Sequence, residues 1–178
     1  MKILLPSLML ALSLMTGTAR AKIPQEAPMK LSSPDFGEGG NIPERFTCDG
    51  KDITPTLKID GVPKEAKSLV LIVDDPDAPG GTFTHWLMWN IVPTLTEIVG
   101  NKPPAHAVQG VNDFGKSKYS GPCPPSGVHR YYFRLYALDT NVALPPKSKR
   151  KAVDSAIKGH ILAEATLMGR YARKGNKR

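Results

Sequence analysis

Ser68-Leu69-Val70-Leu71-Ile72-Val73-Asp74 holds five consecutive apolar side chains, every one leucine or β-branched, closed at both ends by polar residues. This composition favours a strand. Unbroken apolarity on consecutive positions means that both faces of that strand are covered. Two further strands read clearly. His85 to Val92 is aromatic and apolar, and in Arg130 to Leu138 the residues Tyr131, Phe133 and Leu135 alternate with Tyr132, Arg134 and Tyr136. One strand sealed on both faces and another with two unlike faces fit a two-layer antiparallel sandwich. Seventeen prolines and sixteen glycines keep the segments short and exclude long helices over most of the chain. One helix is predicted, from Lys149 to about Leu162, because Val153, Ala156, Ile157 and Ile161 recur at spacings of three and four. A short strand from Ala165 to Tyr171 follows it. The class is therefore mainly β with a helix near the C-terminus, without internal repeats.

The beginning of the chain reads as a targeting segment. Lys2 precedes an apolar run from Ile3 to Met15, and the small-residue stretch Thr18-Ala19-Arg20-Ala21 predicts cleavage after Ala21. The run is too short to span a bilayer comfortably, so no stable membrane insertion is expected. Residues 1–21 are read as a signal peptide and 22–30 as a flexible lead-in. One domain covers 31–171, and 172–178 form a basic tail. Cleavage removes Lys2 and Arg20 and no acid, which lowers the net charge from +8 to +6. Part of the excess lies in Lys147-Ser148-Lys149-Arg150-Lys151 and in the tail, which read as solvated surface and not as a nucleic-acid interface. Export to a periplasmic or extracellular space makes a disulfide between the two cysteines, Cys48 and Cys123, the natural pairing, with two free thiols or a catalytic cysteine as the alternatives.

Two segments concentrate groups that could do chemistry. The first is Asp74-Asp75-Pro76-Asp77-Ala78-Pro79-Gly80-Gly81, which returns at Thr84-His85-Trp86. Three carboxylates within four positions repel one another unless a cation or a hydrogen-bond donor stands nearby. If the flanking strands form a hairpin, Asp75 and His85 are expected opposite each other at its mouth. The second segment is Tyr119-Ser120-Gly121-Pro122-Cys123-Pro124-Pro125-Ser126-Gly127-Val128-His129-Arg130-Tyr131. Its prolines stiffen the backbone and its glycines allow close approach, so it suits the wall of a pocket ending in His129 and Tyr131. Asp113-Phe114-Gly115 echoes a kinase metal motif, yet no glycine-rich loop or catalytic loop accompanies it. A nucleophile elbow, a phosphate loop and H-E-x-x-H are missing as well. Asp75, His85 and His129 have donor types that suit a metal, but no short-range ligand spacing supports one, and no metal or cofactor is expected.

Together, Asp75-Pro76-Asp77-Ala78-Pro79, His85-Trp86-Leu87 running to Asn90-Ile91, Gly121-Pro122 and His129-Arg130-Tyr131 resemble the signature stretches of phosphatidylethanolamine-binding proteins, also called Raf-kinase-inhibitor-like proteins. Thr47-Cys48-Asp49-Gly50, Asn112-Asp113-Phe114-Gly115, Tyr136-Ala137-Leu138-Asp139 and Gly159-His160-Ile161-Leu162-Ala163 look like the bacterial YbhB and YbcL branch. The resemblance runs from about Leu31 to Tyr171. It implies a Greek-key pair of antiparallel sheets with an anion pocket at one end, lined by Asp75, His85, Gly121, His129 and Tyr131, with Asp77, Pro79 and Pro122 shaping the loops. Imidazole N–H groups, a tyrosine hydroxyl and glycine-exposed amides are expected to donate to the anion, and Asp75 to orient a histidine. The expected function is non-catalytic binding of a small anionic or phosphorylated ligand, or presentation of the pocket to a protein partner. The alternatives are a protease- or host-directed inhibitor acting through surface loops, and a hydrolase or lyase using the pocket histidines as acid and base.

Overall fold

The computed structural model describes residues 27–173. Residues 1–21, expected to be a signal peptide, residues 22–26 of the expected lead-in and residues 174–178 lie outside the described residues. Strand β1 (Lys30–Ser32) is followed by a 3-10 turn at Glu44–Phe46 and by β2 (Leu57–Asp60), β3 (Ser68–Asp75) and β4 (Phe83–Ile91). Two short strands follow, β5 (Glu97–Ile98) and β6 (Val108–Gln109), then β7 (His129–Leu138), helix α1 (Arg150–Ile157) and β8 (Ile161–Tyr171). Three strands form one antiparallel sheet in the order β1-β2-β5, and five form the other in the order β6-β4-β3-β7-β8. After β4 the chain visits the small sheet and the β6 edge before returning on the other side of β3 as β7. This is a Greek-key type of connection.

Strand β3 is the centre of the large sheet and is buried along its whole length. Leu69, Leu71 and Val73 face the core between the sheets, together with Tyr131, Phe133 and Leu135 of β7. Val70 and Ile72 face a second core, where Val153 and Ile157 of α1 pack on the outer face with Leu87, Trp89 and Leu138. The apolar run is continuous because each alternate set of side chains has its own cover.

The helix ends earlier than its periodicity predicts, at Ile157 and not near Leu162. Gly159 adopts φ +84°, and the His160 N–H donates to the Ile157 carbonyl, closing the turn. Ile161 opens β8 and is 43% exposed, so its place in the apolar series is coincidental. The final strand therefore begins at Ile161, four residues before the expected Ala165. Its far end is fastened, since Tyr171 and Arg173 both donate to the Asp49 carboxylate.

Candidate functional site

The end of β3, the start of β4 and the start of β7 meet at one end of the large sheet. Alternation along β3 sends neighbouring carboxylates to opposite faces. Asp74 turns outward, where Arg134 Nε and Arg150 Nη1 bond its Oδ2 at 3.1 and 2.9 Å and tie α1 to the sheet. Asp75 turns inward. Its Oδ1 accepts the Asp77 N–H at 2.8 Å, and its Oδ2 accepts His129 Nδ1–H at 2.7 Å, with both side chains buried. Asp77 takes Arg130 through Nε, Nη2 and the backbone N–H, which lowers its carboxyl to about 2. The crowding of three acids is thus resolved by separate partners: two arginines, a histidine and a third arginine. Pro79 lies in the loop between β3 and β4, which closes with the Gly81 N–H on the Ala78 carbonyl.

His85 does not sit opposite Asp75. Phe83 does, because the ladder slips between the pairs Asp74↔Thr84 and Val73↔Trp86 and leaves His85 as the extra residue of a bulge. The slip turns the His85 carbonyl away from β3, where it accepts the Ser120 N–H at 3.2 Å and Asn112 Nδ2 at 3.0 Å. The ring Nδ1–H in turn donates to the Ser120 carbonyl at 2.7 Å. Burial holds the His85 pKa below its ordinary value, against the pull of the Ser120 carbonyl and the Asp75 charge. At neutral pH this ring is uncharged, and Nε2 is its lone-pair nitrogen.

The loop before β7 is held at several points. Tyr119 Oη–H donates to the Phe46 carbonyl at 2.9 Å, and the Gly121 N–H donates to Asp52 Oδ1 at 2.6 Å. The Pro122 carbonyl accepts the Cys48 N–H at 3.1 Å, and Cys123 is bridged to Cys48 with Cα atoms 5.4 Å apart. The Gly121 amide is therefore committed to Asp52, contrary to the expectation that it would be left for a ligand. Glycine is required there for packing, because a Cβ would overlap the Phe46 carbonyl oxygen.

Four of the five expected lining residues converge. Tyr131, fully buried on β7, stands edge-on to His85 with ring centroids 5.2 Å apart and nearly parallel to His129 at 6.5 Å, and Asp75 is bonded to His129. Gly121 acts one step removed, beside the Ser120 carbonyl that fixes His85. The Tyr131 Oη lies near the Asp75 carboxylate but makes no hydrogen bond of ordinary geometry. Burial first, and then the nearby Asp75 charge, push this hydroxyl well above its ordinary pKa, so it is a donor at all physiological pH. Phe83 and Phe114 pack edge to face with His85, each at 5.4 Å, and Phe114 is 42% exposed at the rim. Sequence reasoning singled out neither ring as part of the site, nor Asp52 or Ser120 as the residues that position the lining groups. A phenylalanine two positions from a histidine in sequence carries no sign of what the bulge will do.

The phosphatidylethanolamine-binding protein family model matches residues 32–172. UPF0098 proteins of Methanothermobacter thermautotrophicus and Pyrococcus horikoshii are 53% and 50% identical. The alignments cover 82% and 84% of this chain, and 99% and 79% of theirs. Among solved structures, a putative phosphatidylethanolamine-binding protein homologue from Chlamydia trachomatis aligns with a TM-score of 0.79 at 41% identity, covering 83% of this chain and 99% of its own. E. coli YbcL, described as a new member of the mammalian family, aligns with a TM-score of 0.78 at 32% identity, covering 83% and 100%.

Proposed function

The chain belongs to the phosphatidylethanolamine-binding protein family, and we propose that it is an exported, non-catalytic binding protein holding a small phosphate-bearing anion at the Asp75–His85–His129–Tyr131 cluster. The observation that carries this reading is the Tyr131 hydroxyl, buried between two histidines and near the Asp75 carboxylate without a hydrogen bond of ordinary geometry. Such a donor carries a desolvation cost that a ligand oxygen would remove.

The histidines define the protonation of that ligand. Nδ1 of His85 is committed to Ser120 and Nδ1 of His129 to Asp75. In both rings Nε2 is the nitrogen left for a ligand, and on His85, kept uncharged by burial, it is an acceptor. A phosphate can use His85 Nε2 only if the ligand brings a P–OH or the ring takes up a proton. Binding therefore strengthens as pH falls from 8 towards 6, around the second ionisation of a phosphoryl group. Catalysis is not favoured: among the described residues no serine, threonine or cysteine side chain is bonded to either ring. Export is supported by the apolar run before Ala21 and by the Cys48–Cys123 bridge, which persists in oxidising compartments. N-terminal mass spectrometry of the secreted protein should find Lys22 first.

Calorimetric titration with inorganic phosphate at pH 6 and pH 8 tests the pocket, alongside Asp75→Asn and His129→Ala. Tighter binding at the lower pH and at least a tenfold loss in His129→Ala are expected. A folded, disulfide-bonded protein that takes up no phosphate at either pH would sink the proposal.

A further inference from the structure

The aromatic rings at the mouth of the cluster are placed as firmly as its polar groups. Phe83 stands directly opposite Asp75 in the β3–β4 ladder, so its side chain lies on the same face of the sheet as Asp75. The 112–116 turn is seated against β4 just beyond it. The Asp113 N–H donates to the Thr84 carbonyl at 3.0 Å, and Asp113 Oδ2 accepts the Thr84 N–H at 2.6 Å. Buried Asn112 joins this turn to the cluster: its Oδ1 accepts the N–H groups of Phe114 and Lys116 at 3.1 and 2.9 Å, while its Nδ2 donates to the His85 carbonyl and to Ser120 Oγ. Phe114 is thereby held against the His85 ring, with centroids 5.4 Å apart at 77°, and against Phe83, with centroids 4.7 Å apart at 69°. A single exposed apolar side chain needs no explanation in itself. Phe114 differs because 42% of it faces solvent from a braced turn, in contact with the histidine whose Nε2 is left for a ligand.

We propose that Phe114, backed by Phe83, is a specificity-determining residue of this pocket, and that the preferred ligand is an aryl phosphate monoester whose phosphoryl group sits on the cluster and whose ring packs on the exposed side of Phe114. The inference rests on the reading of the cluster as a phosphate pocket. His85 belongs both to the phosphate cluster and to the three-ring contact, so a ring joined to phosphorus through a single ester oxygen starts beside Phe114. Aromatic rings attract one another in offset-stacked or edge-to-face arrangements beyond the gain from buried area, which an alkyl ester does not share. The turn is braced by its own bonds, so little side-chain freedom is lost when the ligand ring arrives.

The test titrates phenyl phosphate and ethyl phosphate, two monoesters that differ in the ring, at pH 6, with inorganic phosphate as the reference. In the wild-type protein phenyl phosphate should bind about tenfold more tightly than ethyl phosphate. In Phe114→Ala that preference should fall below about twofold while affinity for inorganic phosphate stays within about twofold of wild type, and Phe114→Tyr should keep the preference. If phosphate binds but the two esters bind equally, or if the preference survives in Phe114→Ala, ring recognition is wrong and the pocket stands. An equal loss of affinity for all three ligands in Phe114→Ala would make the ring a prop for His85 and overturn the proposal as well. If none of the three binds the wild-type protein, the pocket reading fails and ring recognition with it.

Discussion

A buried hydroxyl without a well-formed hydrogen bond costs a fold up to roughly 1–3 kcal/mol, and Tyr131 bears part of that cost beside the two histidines and Asp75. Trp89 Nε1 is also unpartnered, but it lies in the core beneath α1, so an orphan donor marks a site only where it faces other polar groups. Replacing Tyr131 by Phe keeps the ring contacts and removes the orphan. Chemical denaturation should find Tyr131→Phe as stable as wild type or up to about 1 kcal/mol more stable, with phosphate affinity reduced about tenfold. Lower stability together with unchanged affinity would place the hydroxyl outside the binding function. His85 has the opposite dependence on solvent. Its pKa is lower folded than unfolded, so between the folded value and about 6.5 the unfolded chain binds more protons. The contribution is fully present above pH 6.5 and is lost as pH falls towards the folded pKa, at up to about 1.4 kcal/mol per pH unit. Urea midpoints at pH 7.5 and 5.5 should diverge less in His85→Gln than in wild type, and equal divergence would remove His85 as the source.

At the level of strands and loops, the site depends on one slipped pair in β4 and one loop pressed against the 46–52 segment. Gly121→Ala tests the second directly. The new Cβ would meet the Phe46 carbonyl and lie 3.0 Å from Asp52 Oδ1, both on the segment that anchors the loop. Relief requires the backbone to move, which costs about 1–3 kcal/mol and shifts Ser120, the partner of His85. The denaturation midpoint should fall accordingly and phosphate binding should weaken with it. A stable variant with intact binding would mean the loop has slack that its bonds do not suggest. These elements also mark where the sequence could be read and where it could not. The two-sided burial of Leu69 to Val73 and the alternation from Tyr131 to Leu135 are local patterns, and they appear in the structure as the two cores. That Asp75 orients a histidine is expected from the resemblance, but the hairpin reading sets it opposite His85, and the partner in the structure is His129. The bulge at His85 had no such signature, because a one-residue slip depends on which carbonyl finds Ser120 and Asn112 across the chain. The end of α1 was hidden for a related reason: Ile161 continues the helical spacing past Gly159, and periodicity cannot tell a buried side chain from the exposed first residue of a strand.

Across the molecule, the Cys48–Cys123 bridge closes a loop spanning 75 residues that contains β3, β4 and their hairpin. In the chain-entropy account this stabilises the fold by about 4 kcal/mol, largely by limiting the unfolded chain. Cys123 lies between Gly121 and His129, so the bridge ties the loop that orients His85 and delivers His129 to the segment around Cys48. Reduction should lower the melting temperature by about 10 °C for a chain of this size. The binding consequence is more informative. If the bridge holds the pocket walls in register, the reduced protein, kept well below its own melting temperature, should bind phosphate about tenfold more weakly than the oxidised form. An affinity unchanged on reduction would assign that duty to the Asp52–Gly121 and Asn112–His85 bonds, leaving the disulfide as protection of the fold alone. Cys48→Ser with Cys123→Ser, measured in parallel, separates loss of the bridge from any effect of the reductant on the ligand.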